Sequence, residues 1–468
     1  MKKQIGKKVF TAALVVGGVA VLAGSLASCS KMNNDGEIFH IYCWNDEFKG
    51  FFNKYVSDEK NNDHPDETHH LDGKVVKWTK ETSDGGTYQQ KLDNALLNNA
   101  SANEEEKVDM FLAEADYILK YTNTTYTKDV TTIGVNDFSK AYQYTVDAAS
   151  DSSGVVKGVS FQCCPAGMIY RRSMAKELFG TDDPKTVQEN VSDWSKFDQV
   201  AEKAKEKGYY MTASYADTYR VFSNNATSAW VDKDGNVTIP EAVITWMTQA
   251  ENYVKNGYTL TEDLWSTGKS AQFTNDGKAF CTFGPAWYYN FSMGTAMGSG
   301  KPNAAPTDPN DNNSWGDWAV VQGPAAYFWG GTWLLATSEC DNDDLVAKTM
   351  NAFLNNEEIC EKLVKNEGQF SNNKTVNEKV ANEYEVNKQG NLFLGGQNDT
   401  KVWVEMADSI KFKNNTIYDQ LCNEGLQTAY VKYLKLSDAA RTEEAKNNAM
   451  KDFYTELKKI YGNLKTPA

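Results

Sequence analysis

The stretch IFHIYCWNDEFKGFFNKY, residues 38–55, contains the unit from which the fold is built. Its first six residues are mostly apolar, as in a strand that is buried on both faces. After the polar turn that begins at Trp44, apolar residues recur at the three- and four-residue spacing of an amphipathic helix. The stretch therefore predicts a strand, a turn and a helix in succession.

The same order recurs in the residues that follow. KVVKWTKE (74–81) predicts a second strand, TYQQKLDNALLNN (87–99) an amphipathic helix, and KVDMFLAEADYILKY (107–121) a third strand. This alternation indicates a parallel α/β lobe, in which ligands gather at the carboxyl ends of the strands. The candidate contacts at those ends are Trp44, Asn45, Asp46, Glu114 and Asp116.

A second α/β series begins at residues 158–180, GVSFQCCPAGMIYRRSMAKELFG. It continues through a predicted strand at 209–215 and a helix that starts at Pro240 and closes at Gly257. A last helix is predicted near 443–462. A chain of 468 residues is too long for one ordinary domain, so the sequence predicts two α/β lobes.

The net charge and the aromatic content of the chain indicate which kinds of ligand it can bind. The formal net charge of -15 argues against nucleic acid and anionic lipid, because both require a basic face. Aromatic residues make up 12% of the chain, which exceeds the needs of a core. A neutral ligand that contacts aromatic side chains fits this composition best.

The N-terminus resembles a bacterial lipoprotein signal. A lysine-rich start is followed by an apolar run from Val9 to Leu26 and by the small residues before Cys29. The resemblance implies a signal peptide over 1–28, acylation of Cys29, and a lipidated leash over 29–36. The protein would then be extracytoplasmic and anchored to the outer face of the cytoplasmic membrane. The alternative is an uncleaved membrane anchor in which the cysteine has no role.

Cysteines and histidines give no metal signature. Of the eight cysteines, the seven beyond Cys29 are widely spaced, which favours buried thiols over a disulfide scaffold or zinc site. For the adjacent pair Cys163 and Cys164, a redox role is the alternative. Three histidines, at positions 64, 69 and 70, are predicted to lie in a solvated loop. We expect no cofactor and no metal.

Aromatic residues stand beside polar groups or glycine at several predicted loops and strand ends. The stretch GPAAYFWGGTWLLA (323–336) combines two tryptophans with a glycine pair. Carbohydrates offer flat C–H faces to aromatic rings and hydroxyl edges to carboxylates and guanidinium groups, so these clusters favour a sugar ligand. Beyond the strand ends given above, the candidates are Tyr215, Asp217, Arg220, Trp287, Tyr288, Trp329, Gly330, Gly331 and Trp333.

Other functions are alternatives to sugar binding. A glycoside hydrolase needs two carboxylates across a sugar, and the many acidic residues leave that reading open. A non-sugar solute such as a peptide is a further alternative. The segment ending at Ser270 lacks the strand and first glycine of a P-loop. The segment from Asp232 lacks the glycine and glutamate of an EF-hand loop, so it predicts a hairpin turn, with an irregular calcium site as the alternative.

The order of these landmarks resembles the extracellular solute-binding lipoproteins of ABC sugar importers, in the branch related to maltodextrin-binding proteins. The resemblance rests on the lipoprotein signal, on CPAGMIYRRSMAKELFG (164–180), on GKAFCTFGPAWYY (277–289) and on GGTWLLATSE (330–339). It implies that the candidate residues above contact a sugar in a cleft, with Trp287 or Tyr288 as a stacking platform and Trp329 as a further stacking ring. The glycine pair would lie where the chain re-enters the first lobe.

The resemblance also implies an architecture and partners. The N-terminal lobe would comprise 37–165 and 331–367, and the C-terminal lobe 166–330 and 368–468, in a two-lobed periplasmic-binding-protein-like fold of type II with hinge crossings. An oligosaccharide would be captured between the lobes and delivered to ABC permease subunits driven by their ATPase. The protein would be a monomer and not an enzyme.

Overall fold

The computed structural model describes residues 32–60, 67–297 and 313–467. The predicted signal, Cys29 and His64 lie outside these residues. The first part of the chain forms β1 (Ile38–Cys43), α1 (Glu47–Tyr55), β2 (His69–Leu71), β3 (Lys74–Lys80), α2 (Thr87–Asn98), β4 (Met110–Glu114), α3 (Ile118–Thr122), α4 (Gln143–Ala148) and β5 (Gly158–Ser160).

The middle and last parts of the chain are richer in helices. The middle part forms β6 (Pro165–Arg171), α5 (Arg172–Phe179), α6 (Pro184–Asn190), α7 (Trp194–Glu206), β7 (Tyr210–Thr212), α8 (Tyr219–Asn224), α9 (Glu241–Asn256), α10 (Thr267–Ala271), β8 (Ala279–Pro285), α11 (Gly294–Ala296), β9 (Trp318–Val321) and β10 (Tyr327–Phe328). The last part forms β11 (Thr332–Ala336), α12 (Asp343–Leu354), α13 (Glu357–Glu367), α14 (Lys374–Asn387), α15 (Asp399–Ala407), α16 (Asp419–Leu434) and α17 (Glu443–Ile460).

Short turns complete the secondary structure. A π-helical turn spans Tyr288–Met293, and 3-10 turns span Asp84–Gly86, Asn99–Ser101, Val130–Ile133 and Leu392–Leu394. None of the helices within the described ranges has the length and apolar character needed to cross a bilayer.

The first sheet has the strand order β2-β3-β1-β4-β11-β5. Strand β1 lies parallel to β3 and β4, as the alternation of strands and helices predicts. Strand β11 instead runs antiparallel to both β4 and β5. The chain therefore returns to this sheet from elsewhere with its direction reversed, so a purely parallel lobe is the wrong expectation.

The second sheet is built on β6, whose residues are all buried. Strands β8, β9 and β10 each pair with β6 in antiparallel fashion, and β7 lies parallel to β8. Helices α8, α9, α16 and α17 add a separate apolar cluster in which Trp246, Tyr430 and Phe453 are nearly fully buried. The two sheets confirm the predicted α/β class.

The chain passes between the sheets at three places. It leaves the first sheet after β5, enters the second at β6, and returns from β10 to β11 through residues 329–331. A third connection, between α13 and α14, runs beside the first, because Cys163 N–H donates to the Phe370 carbonyl. Helix α14 packs against both α13 and α15. The assignment of residues 368–468 to the C-terminal lobe stays a prediction.

Two local expectations have different outcomes. His69 and His70 lie in β2, paired with β3, so the predicted loop is wrong at these residues. The hydrogen bonds of this edge strand order them. The hairpin turn at Asp232 is confirmed, because Val231 and Val237 form an antiparallel bridge. The Asp232 carboxylate accepts hydrogen bonds from backbone N–H groups inside the turn.

Candidate ligand-binding site

The site begins where β1 and β4 end. These parallel neighbours place Trp44 and Glu114 at the same edge of the first sheet. The Trp44 ring packs edge-on against Tyr88, with centroids 5.4 Å apart. Asn45 and Asp46 are exposed, and Asp46 pairs with Lys80 at 2.5 Å. The polar strand-end residues therefore do share one edge.

Trp329 is the centre of an aromatic cluster, which consists of Trp265, Trp287, Tyr288 and Trp329. Its ring centroid lies 5.1 Å from Trp287, 5.4 Å from Tyr288 and 5.6 Å from Trp265. The Trp287 indole N–H donates to the Trp329 carbonyl at 3.2 Å. Trp265 is 63% exposed, whereas Trp329 is 7% exposed. One indole of the cluster is thus free to stack on a ligand.

Gly330 and Gly331 place the backbone against this cluster. Their φ angles are 77° and 111°, a region that side chains rarely adopt. A Cβ on Gly330 would lie 3.3 Å from the Trp287 indole nitrogen and 3.7 Å from a Glu114 carboxylate oxygen. The glycine pair therefore lets the chain pass between the aromatic cluster and the end of β4.

An ion pair joins the two sides of the cleft. Asp116, just beyond β4, accepts two hydrogen bonds from the Arg220 guanidinium on α8, at 2.8 Å and 2.6 Å. The guanidinium carbon also lies 5.2 Å from the centroid of the Trp329 ring. Both charged side chains keep about 30% of their surface exposed. A ligand between the lobes would meet this pair directly.

The carboxyl groups of the cleft differ in proton affinity. Burial, and then the neighbouring charge of Asp116, raise the pKa of Glu114 to about 8. Burial raises the pKa of Glu47 to about 7, and a hydrogen bond from Gln369 opposes that rise. Burial would raise the pKa of Asp116 as well, but the charge and hydrogen bonds of Arg220 hold it below its usual value. Of these three carboxyl groups, Asp116 is the one whose lowered pKa keeps it firmly ionised near neutral pH.

A polar cavity of about 70 Å³ lies on the far side of the ion pair. Residues near β4 contribute one wall, and α8 and α16 contribute the others. Asp116 and Arg220 line the cavity together with Glu424, while Trp287 and Trp329 do not. Arg220 therefore contacts the aromatic cluster through Trp329 and also lines this polar cavity.

Four predicted contacts are buried in packing or ion pairs. Trp333 is 1% exposed, and its indole N–H donates to the Thr145 carbonyl at 2.9 Å. The Asp217 carboxylate is fully buried against the Lys269 ammonium. Both side chains are engaged inside the fold in this structure, and ligand contact by Trp333 and Asp217 stays a prediction.

The two predicted tyrosines are also buried. Tyr215 is 5% exposed and donates its hydroxyl hydrogen to Asp263 at 2.7 Å. Tyr288 is 1% exposed, with the Lys269 ammonium 5.4 Å from its ring centroid. Both side chains are thus engaged with neighbouring side chains of the protein. Strand and turn positions in a sequence do not reveal which face a ring will take.

Sequence reasoning missed Trp265 and Glu47. Trp265 lies in the polar stretch TEDLWSTG (261–268), where no apolar periodicity explains an indole, and this isolation is the signal that was available. Glu47 begins α1, where a carboxylate is ordinarily explained by the helix dipole. Its place in the cleft follows from its contact with Gln369, which is more than 300 residues away in sequence.

The thiols beside the site are not paired. All seven cysteines of the described residues are buried and free. Burial raises the pKa of Cys163 and of Cys164 well above the usual value, so neither is a reactive thiolate. Among the residues that the structure describes, no group of three or more His, Cys, Asp or Glu side chains is arranged to hold a metal ion.

Solved structures with a similar fold include several binding proteins. One described as an extracellular solute-binding protein of family 1 shares 20% identity with a TM-score of 0.67, covering 90% of this chain and 99% of its own. The galacto-N-biose/lacto-N-biose I-binding protein of Bifidobacterium longum, in complex with lacto-N-biose, shares 14% identity with a TM-score of 0.62, covering 93% and 100%. At these identities the likeness establishes the fold.

A second sugar complex has the same architecture. It is the ABC transporter associated binding protein from B. animalis subsp. lactis Bl-04 with beta-1,6-galactobiose, at 15% identity and a TM-score of 0.61, covering 93% and 100%. No curated protein sequence matches the chain significantly. The family profile described as bacterial extracellular solute-binding protein matches residues 69–393. With that profile matched over well more than half of its length, the chain belongs to the bacterial extracellular solute-binding protein family.

Proposed function

We propose that this protein is the substrate-binding component of an ABC importer and that its ligand is an oligosaccharide. The observation that carries the proposal is the aromatic cluster, in which Trp329 contacts both the exposed Trp265 and the guanidinium of Arg220, the partner of Asp116. Flat rings next to carboxylate and guanidinium groups match the face and the edge of a sugar. The sugar complexes with the same fold support this ligand class.

The aromatic cluster and the charged groups beside it would contact different parts of the sugar. Trp265 offers its ring to one sugar face, while Trp287 and Trp329 form the floor on which that ring is held. Asp116 and Glu114 accept hydrogen bonds from hydroxyl groups, and Arg220 donates to them. Asn45 and Asp46 stay candidate contacts from the outer edge of the first sheet.

Capture would be coupled to closure of the lobes. The ligand contacts residues of both lobes at once only when the cleft is closed, so binding stabilises that form. The closed form would dock onto permease subunits that are powered by an ATPase. A monomer acylated at Cys29 would present the cleft outside the cytoplasm, which is where proteins of this extracellular family act.

A hydrolytic role has less support. The family and the similar solved structures are binding proteins. A glycosidase also needs one ionised carboxylate free to act on the sugar or on water, whereas Asp116 is held by two hydrogen bonds from Arg220. Retention of the intact ligand is therefore the expected behaviour.

The test is a calorimetric titration of the mature chain, from Ser30 onward, with a panel of mono- and oligosaccharides. Chromatography of each mixture would report whether the sugar is altered. We expect saturable one-to-one binding to one glycan class, with the sugar recovered intact. Release of a product would show hydrolysis, and binding of peptides but of no sugar would show a different solute class.

A further inference from the structure

Carboxyl groups outnumber cations in the cleft. Glu114 is acted on by two carboxyl groups, those of Asp116 and Glu424, and by the single guanidinium of Arg220. Glu424 lies on α16 and lines the polar cavity, so its charge reaches the site from the second lobe. Glu47 adds another carboxyl group from the start of α1. The groups come from four separate segments, and their convergence is a product of the fold.

The one guanidinium in this set is already engaged. Arg220 gives two hydrogen bonds to Asp116 and faces the Trp329 ring. A ligand carboxylate could pair with Arg220 only by displacing Asp116. That exchange would leave Asp116 as an unpaired, half-buried charge, which costs free energy.

Two of the three glutamates in this set, Glu47 and Glu114, accept hydrogen bonds from neutral donors. Glu47 accepts a hydrogen bond from the Gln369 amide at 3.1 Å, and Glu114 accepts one from the Asp116 backbone N–H at 2.8 Å. Both act electrostatically on the buried Cys164 thiol, which places both carboxyl groups near it. The raised pKa values of Glu47 and Glu114 show that this part of the cleft resists negative charge.

Neighbouring lysines do not supply the missing charge, because they have acidic partners of their own. These pairs are Lys80 with Asp46, Lys120 with Asp93, Lys269 with Asp217 and Lys435 with Asp263. Lys413 lines the polar cavity, on the far side of the ion pair from the aromatic cluster. A sugar stacked on Trp265 would therefore meet carboxyl groups at its edge.

Resting on the oligosaccharide-binding function above, we propose that the cleft selects glycans without carboxylate or sulfate groups, and that Glu114 is a specificity-determining residue. A neutral glycan donates its hydroxyl hydrogens to Glu47 and Glu114 in either protonation state. An acidic glycan forces these carboxyl groups to stay protonated or to face a like charge at close range. Selection against acidic glycans consequently becomes stronger as the pH rises.

The test uses matched pairs of glycans. Maltotriose, cellobiose, β-1,6-galactobiose and lacto-N-biose would each be titrated beside its counterpart in which a C6 hydroxyl is oxidised to a carboxylate. For every pair that binds, the ratio of the acidic to the neutral Kd is measured at pH 6 and at pH 9. The parent is expected to bind the acidic form about tenfold more weakly at pH 9, with a smaller ratio at pH 6.

Two glutamine variants identify the residues responsible. Glu114→Gln should lower the ratio at pH 9 several-fold and flatten its pH dependence, with Glu47→Gln acting in the same direction if Glu114→Gln folds poorly. Glu358→Gln, an exposed residue of α13 paired with Lys362, is the matched control and should leave the ratio unchanged. An acidic glycan that binds as tightly as its neutral form at pH 9, or a ratio unmoved in both glutamine variants, would overturn the proposal. If only the acidic glycans bound, the proposed selectivity would be overturned but sugar binding would stand. If none of the glycans bound, the proposed sugar-binding function itself would be contradicted.

Discussion

Gly331 illustrates how one backbone position couples fold and site. Its φ of 111° lies outside the range that L side chains favour, and an added Cβ would stand 3.1 Å from the Trp333 ring. The indole N–H of the buried Trp333 donates a hydrogen bond to the Thr145 carbonyl, which opposes a shift of the ring. Backbone strain and steric overlap therefore act together at this residue.

Gly331→Ala is expected to lower the free energy of unfolding by about 1–3 kcal/mol and to weaken sugar binding, because the aromatic cluster sits on the displaced backbone. Gly154→Ala is the matched control, since Gly154 has a φ of 82° and nothing within 4 Å of an added Cβ. Urea unfolding of both variants measures the difference. An equal loss in the two variants would show that overlap with Trp333 contributes nothing.

Glu114 makes the stability of the fold depend on pH. Its pKa rises from 4.5 to about 8 on folding, so the folded chain binds the extra proton across that window. The contribution of Glu114 to the free energy of unfolding is fully present below pH 4.5 and is lost as the pH rises through 8. Glu114→Gln removes the titration and should gain stability relative to the parent between pH 5 and pH 8, by roughly 1–3 kcal/mol.

Urea unfolding at both pH values measures this gain for Glu114→Gln. Glu358→Gln serves as control, because its pKa is lowered by Lys362 rather than raised. If the difference in unfolding free energy between Glu114→Gln and the parent stays constant from pH 5 to pH 8, a raised pKa at Glu114 is contradicted.

At the scale of elements, a buried ion pair between Lys269 and Asp217 connects α10 with the loop that follows β7. Asp217 also accepts hydrogen bonds from the Thr282 hydroxyl of β8 and from its own loop at the Ser214 backbone N–H, each at 2.8 Å. The lysine side chain is 1% exposed. Removing one partner would strand a charge in the interior.

Asp217→Asn should therefore cost about 3 kcal/mol or more in unfolding free energy. The double variant that also carries Lys269→Met should recover part of that loss, since no unpaired charge remains. Affinity of the folded single variant for sugar should stay close to that of the parent. A variant that keeps its stability and loses binding would instead return Asp217 to the set of ligand contacts.

The sequence predicts elements well where the hydrophobic period is long and local. The helix predicted at 87–99 is α2 (Thr87–Asn98), and the helix predicted near 443–462 is α17 (Glu443–Ile460). Gly257 ends α9 in the left-handed conformation, as expected. By contrast, the strand predicted at 209–215 is only β7 (Tyr210–Thr212), because the chain then turns to place Asp217 against Lys269.

The sequence predicts that residues at strand ends lie close together, but it does not predict how side chains of distant segments pack against them. Glu114, Asp116, Arg220, Trp287 and Trp329 do come together. Trp329 and Trp333 are alike in sequence, yet Trp333 lies in β11 and turns into the core. Neither the inward turn of Trp333 nor the exposure of Trp265 follows from local pattern, because each depends on which distant residues pack beside it.

At the scale of the whole molecule, few polar contacts span the cleft in the regions described. The Asp116–Arg220 pair joins the end of β4 to α8, and the Gln89 amide donates to Gln420 at 3.2 Å between α2 and α16. Half-exposed contacts of this kind contribute modestly, on the order of 1 kcal/mol each. Ligand contacts with both lobes are therefore able to decide how tightly the cleft closes.

The most direct measurement is a tryptophan-fluorescence titration of the mature chain with the glycan class that calorimetry identifies. It compares the parent with Trp265→Ala and with Leu392→Ala, a control whose apolar side chain is 65% exposed in a 3-10 turn that does not contact the aromatic cluster. The account predicts a saturable signal in the parent and in Leu392→Ala, and an affinity at least about tenfold lower in Trp265→Ala, in keeping with the loss of an aromatic anchor. Equal affinity in all three proteins would contradict a sugar site built on the aromatic cluster.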